Sequence, residues 1–365
     1  MLRQSSRIIA LVYVLAGFCK ASAMAVTVNA DAARAVLVAL QDTSLSHEEA
    51  LRIARLPGDK GVIRKLNEFN IPVSTESFAD ALFTTAHGQK VTDSIETAFY
   101  FDRLKQKAQQ LLELTKRIEG NPQAFQASIE KRIALFAPPG LKLLVQCYVV
   151  AGGDGAGYAF GETDVYLNIG FIDDFILAKS VATHEAYHAV QGAFASARRA
   201  SYEAPALPQT HEQQTCANTV RLFADLYEEG TAMYVQDISV LPQSHSALAA
   251  RMSADIADGL GHIHNSAALL ELSVLGLSAP VSVPYDDVYE VGFLGHAVLY
   301  NIGYVMAKAI AEADGPQGLA AFLSRPSYMF AIRYSKLVKY GTNKEYPKLG
   351  PNTMAAANQL AKGCT

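Results

Sequence analysis

Apolar residues recur every three or four positions through most of the chain, the period of helices that bury one face. In "NADAARAVLVALQD" and "SHEEALRIARL" this period predicts two helices, the second opening on Ser46 with Glu49 three residues on, a capping box. A longer helical pattern runs from Ser94 to Gly120, and "NPQAFQASIEKRIALFAPPG" adds another that stops at Pro138 and Pro139. The pattern then changes. "LKLLVQCYVVAGG" is a β-branched and aromatic run ending in glycines, and Thr163 to Gly170 alternates with Val165, Leu167 and Ile169 on one face, so both segments predict strands. Helical periodicity returns in "NTVRLFADLYEEGTAMYVQDI", in "ALAARMSADIADGLGHIHNSAALLELSVL" and in the long apolar stretch from Tyr285 to Gly315. A breaker-rich loop, Arg198 to Gln214, separates the first of these from the helix that follows the strands. The expected fold is α+β and predominantly helical, with a small sheet in the middle of the chain.

The amino-terminal pattern differs from all of this. Arg3 and Arg7 precede an apolar run, Ile8 to Phe18, and "ASAMA" then offers small residues at signal-peptidase spacing after Ala23 or Ala25. The run is shorter than the roughly 20 residues of a membrane span, and Phe18 before Cys19 argues against lipid anchoring there. The reading is an exported protein, periplasmic or secreted, with no stable membrane insertion once the signal is removed. The expected organisation is a signal peptide at 1–23, a helical region at 24–138, a catalytic domain at 139–345 and a tail at 346–365. With half of the residues hydrophobic and 18% charged, the composition is globular. A formal net charge of −4 argues against nucleic acid as the main partner. Cys147, Cys216 and Cys364 allow one disulfide plus a free thiol, with the pairing open.

The chemistry is carried by "SVATHEAYHAVQGAF", which holds His184, Glu185 and His188 as H-E-x-x-H on the helix after the strands. Residues four apart share a helix face, so the two imidazoles can converge on one zinc ion. Glu185 is turned about 100° from His184 and can act as base on a water that the metal acidifies. A third ligand is needed. A histidine six residues after His188 is excluded, because Phe194 stands there. "LYEEGTAMYV" offers Glu229, with Glu228 as the alternative; Gly230, Thr231 and Ala232 would let its helix approach the first closely. Asp225, one turn earlier, is a candidate to hold a ligand histidine from behind. His262 and His264 face different sides of a helix and read as surface residues.

H-E-x-x-H followed by Glu229-Gly-Thr-Ala-Met-Tyr resembles the gluzincin metallopeptidases, which complete the site with a distal Glu. E-G-x-A-x-Y is similar to the third-ligand helix of the bacterial "peptidase MA-like" group, and also to an uncharacterised bacterial family of zinc-dependent peptidases. The resemblance spans Leu141 to Ala311; Leu226-Tyr227 stands where the larger group often has Trp before the Glu. It implies a zincin-like domain, zinc as cofactor, a peptide or protein substrate, and a tyrosine that donates to the oxyanion, matched by Tyr289 in Tyr-Glu-Val-Gly292. His296 could serve the same end or line the cleft. The resemblance further implies that "DVYLNI" is an edge strand that pairs with extended substrate. The competing expectations are a helical envelope binding or scaffold protein with a structural or degenerate metal site, and a zinc amidase acting on cell-wall material.

Overall fold

The computed structural model describes residues 24–200, 210–294 and 296–363, with the side chains of 199 and 200 left aside. The expected signal segment, Cys364 and most of the expected 198–214 loop lie outside the described residues. In chain order the elements are β1 (Met24–Asn29), α1 (Asp31–Ala39), α2 (His47–Ala54), α3 (Pro57–Glu68), α4 (Thr75–Ala86), α5 (Phe101–Glu119), α6 (Gln126–Leu135), β2 (Leu143–Val150), β3 (Gly157–Ala159), β4 (Asp164–Asn168), α7 (Phe175–Ala193), α8 (Ala195–Ala200), α9 (His211–Val235), α10 (Ala247–Gly261), α11 (Ile263–Ser278), α12 (Tyr285–Gly292), α13 (Val298–Ala320), α14 (Tyr328–Ser335) and α15 (Pro351–Leu360). The fold is α+β and predominantly helical around one small mixed sheet.

The sheet runs β1-β2-β4-β3, with β1, β2 and β4 parallel and β3 antiparallel to β4. Two expectations change here. Met24–Asn29 is a strand in register with Leu143–Tyr148, so the amino-terminal region is not helical throughout and contributes to the sheet. The "DVYLNI" strand is internal, bonded to β2 on one side and β3 on the other, so its backbone groups are already paired. The edge on that side is the three-residue β3, with β1 at the other edge. Tyr148, Tyr166 and Tyr158 are cross-strand neighbours on one face, with ring centroids 5.5 and 4.9 Å apart, and their stacking ties β3 to the sheet.

Helix α7 packs against the sheet and is buried along nearly its whole length. Its start is fixed by Asp174, whose carboxylate accepts from the backbone N–H of Ile176 and Leu177 at 2.8 and 3.0 Å. Helix α9 opens on the Thr210–Gln213 capping box and lies against α7 on one side and α13 on the other. The α9–α13 crossing is a glycine pair: a Cβ on Gly230 would fall 2.3 Å from the Gly303 carbonyl carbon, and one on Gly303 2.6 Å from Leu226 O. Gly230 therefore serves the approach to α13 rather than to α7.

Three long helical patterns are interrupted. Tyr100, at φ 57, separates a single 3-10 turn from α5. His262 divides α10 from α11. The Tyr285–Gly315 stretch divides into α12 and α13, with Ala297 at φ 51 immediately before the second. The expected tail carries α15, whose first turn donates from Asn352 N and Thr353 N to Glu271 at 2.9 and 2.8 Å and whose Ala357 and Leu360 are buried. Cys147 is a free buried thiol and Cys216 is disulfide-bonded. Among the described residues no helix is long and apolar enough to cross a membrane.

Candidate metal centre

His184 and His188 lie one turn apart on α7, and their Nε2 atoms come within 3.0 Å of each other. Glu229, from α9, brings Oε2 to 3.3 Å from His184 Nε2 and 3.4 Å from His188 Nε2. Three ligand atoms about 2.1 Å from a tetrahedral centre lie about 3.4 Å from one another, so this spacing matches a zinc-sized ion between them. The donor set of two imidazole nitrogens and one carboxylate oxygen is that of a catalytic zinc site with its fourth position open. Glu229 Oε2 is buried and accepts no hydrogen bond, as expected of an oxygen placed to meet a cation. The residues fit the group. Among the described residues, this is the grouping of His, Cys, Asp and Glu whose ligand atoms converge closely enough to hold a metal ion.

The electrostatics agree. Burial alone would raise Glu229, but His188 and His184 outweigh it and hold the carboxyl well below its ordinary range. Burial alone would lower His188, yet Glu229, with Glu185 and Glu228 behind it, raises it to about 10. The pocket is thus built to stabilise positive charge beside Glu229.

Of the two adjacent glutamates, Glu229 faces the histidines. Glu228 points along the cleft and forms an ion pair with the buried guanidinium of Arg198, which also donates to Gln191 O and Leu323 O at 2.7 and 3.1 Å. Glu185 is 7% exposed, and burial pushes its carboxyl above the ordinary range against the pull of both histidines. The edge strand β3 passes directly over it: a Cβ on Gly157 would stand 2.7 Å from Glu185 Oε1.

Asp225 does not reach a histidine. It accepts from the Tyr285 hydroxyl, whose ring lies 4.1 Å beneath the Arg221 guanidinium, and this anchors α12 to α9. The residue behind His188 is instead Gln191, whose Oε1 lies 2.7 Å from His188 Nδ1. Tyr289 stacks on Phe293 at 5.3 Å and is half-buried; burial and the nearby Glu229 raise its phenol to about 12. Phe293 in turn meets Tyr300 edge-on at 5.9 Å. Tyr300, absent from the sequence reading, lies parallel to His184 with ring centroids 6.3 Å apart, and its hydroxyl neighbours the Glu229 carboxylate. His296 is exposed, as are His262 and His264.

A cleft of about 550 Å3 runs from Ala159 and Phe160 past His188 and Glu229 to Arg198 and Tyr328. The open side of the three-residue cluster therefore faces a groove with the sheet edge as one wall.

No curated protein and no solved structure matches the chain. A family model, described as "Putative zinc dependent peptidase (DUF5700)", matches residues 52–342. The matched span runs from the last turn of α2 through α3–α6 and the sheet strands β2–β4, and it includes His184, Glu185, His188 and Glu229. Covering most of the 365 residues, the match shows that the chain belongs to this family.

Proposed function

We propose that the protein hydrolyses peptide bonds at a zinc ion held by His184, His188 and Glu229, with Glu185 as general base and Tyr289 as oxyanion donor. The observation that carries this reading is the convergence of two imidazole nitrogens and one carboxylate oxygen within 4.8 Å at the floor of an open cleft. When bound there, zinc supplies Lewis acidity and brings a coordinated water toward neutral pKa.

The chain's own residues do the rest. Glu185 lies beside the ligands on the same helix without being one of them, and its burial makes it a better proton acceptor than a solvated carboxylate. It takes the proton of the attacking water and returns it to the leaving amine. Tyr289, held neutral by its raised pKa, retains the proton it donates to the carbonyl oxygen as charge develops. Tyr300 lies parallel to His184 with its hydroxyl beside the Glu229 carboxylate, so it lines the ligand side of the site. Substrate binds extended against β3, whose outer edge borders the cleft, so backbone pairing there supplies affinity without choosing a sequence. Export is part of the proposal, and the disulfide at Cys216 supports an oxidising compartment.

The test is metal analysis joined to turnover. Purified protein carries one zinc per chain, His188→Ala loses it, and Glu185→Gln keeps it while cleavage of a fluorogenic peptide mixture falls by about 10²–10⁴-fold. Full activity in Glu185→Gln would remove Glu185 from the chemistry.

A further inference from the structure

Gln191 lies on α7 one turn after His188 and is 1% exposed. Its side chain has three partners: His188 Nδ1 at 2.7 Å, the Glu228 carbonyl oxygen at 2.8 Å and Thr231 Oγ1 at 2.8 Å. A carboxamide has one acceptor end and one donor end, and which is which must be read from the partners. The Glu228 carbonyl can only accept. Thr231 Oγ1 gives its proton to Tyr227 O at 2.8 Å, so it too meets Gln191 as an acceptor. Both contacts therefore fall on the Gln191 NH2 group, and Oε1 is left to face the imidazole. An amide oxygen cannot donate, so His188 Nδ1 carries the proton. In the neutral ring this leaves the lone pair on Nε2, the nitrogen that faces Glu229 Oε2 and His184.

We infer that Gln191 is a positioning residue for the metal centre: it takes its orientation from two acceptors on α9 and imposes the metal-binding Nε2 tautomer on His188. Both acceptors belong to the helix that carries Glu229, so the orientation of the second ligand is set by the placement of the third. This inference rests on the zinc reading above. The alternative is that Gln191 merely braces α7 against α9.

The two roles separate in a pair of variants. Gln191→Leu removes every polar contact. Gln191→Glu keeps an acceptor for the Nδ1 proton but cannot donate to Glu228 O or Thr231 Oγ1. Zinc affinity is measured by chelator competition, and fold stability by urea unfolding of the zinc-free chain. Gln191→Leu is expected to weaken zinc by about 10–100-fold, and Gln191→Glu to hold it within about threefold of wild type although its unfolding midpoint falls. Wild-type zinc affinity in Gln191→Leu overturns the inference. So does a loss in Gln191→Glu as large as in Gln191→Leu, since that is the pattern of a brace. If Gln191→Leu does not fold, Gln191→Glu alone decides: affinity retained with lowered stability supports the inference, and affinity lost overturns it. A wild-type chain that binds no zinc overturns the metal reading itself, and that result is visible before any variant is made.

Discussion

Gly157→Ala tests whether the sheet edge sets the position of the general base. The backbone at Gly157 lies in a region open to any residue, so the substitution acts only through the added methyl. That methyl would stand 2.7 Å from Glu185 Oε1, 2.8 Å from Glu185 Cγ and 2.7 Å from Val181 Cγ1. Carbon contacts settle near 3.5 Å, so about 0.8 Å must be recovered. Val181 is β-branched on a buried helix and has little rotamer freedom. Glu185 is the part that can swing. A displacement near 1 Å at a reacting group costs about 10²-fold in rate, and the overpacking costs about 1–3 kcal/mol of stability. The assay is kcat on a fluorogenic peptide, with zinc content measured on the same sample and a urea midpoint beside it. The expected outcome is kcat down about 10²-fold at wild-type zinc content. Gly261→Ala, where a methyl meets nothing within 4 Å, is the control and leaves kcat unchanged. Wild-type kcat in Gly157→Ala would refute the claim that β3 holds Glu185 in its working position. Loss of zinc together with activity would refute it differently, by showing that α7 lifts as a body.

Glu229→Gln is expected to lose zinc by metal analysis, whereas Glu228→Gln keeps it and instead lowers the unfolding free energy by about 1–2 kcal/mol, read from urea unfolding, because the buried Arg198 loses its carboxylate while keeping its carbonyl acceptors. Tyr289→Phe is expected to lower kcat by about 10²-fold with zinc unchanged; an unaltered kcat would leave Tyr289 as packing for Phe293. Asp59 is fully buried without a hydrogen-bond partner, and burial pushes its carboxyl well above the ordinary value of 3.8. The folded state then holds a proton that the unfolded chain releases, so stability falls as pH rises above that value until the folded-state pKa is passed. Asp59→Asn should flatten this slope and gain on wild type as pH rises, read from urea midpoints at pH 5 and pH 8.

The helical character and the His184–Glu185–His188 arrangement were legible because both are local: a period of 3.6 and a spacing of four are written within one turn or two. The choice of Glu229 over Glu228 needed the angle of α9 relative to α7, which depends on the Gly230–Gly303 crossing 73 residues apart in sequence. β1 was missed because six residues carry little periodicity and its partner strand begins more than a hundred residues later. β3 is three residues in a glycine-rich segment, with no pattern of its own, and without it β4 reads as an edge. Gln191 and Tyr300 carried no signal that separates them from packing residues. One gains its meaning from carbonyl and hydroxyl groups on another helix, the other from the packing of α13 beside the helices that carry the ligands.

The contact between Gly230 and Gly303 is made by main chain against main chain, so no rotamer change can adjust it. Helix α13, which supplies none of the three ligands, therefore acts as a fixed shim beneath the one that Glu229 rides on. The carboxylate is thus carried on a helix backed by a contact that cannot compress, although that backing comes from an element with no ligand of its own. A methyl added at either glycine has only main chain to displace, so it must part α9 from α13, at a cost to the fold and to the placement of Glu229 together.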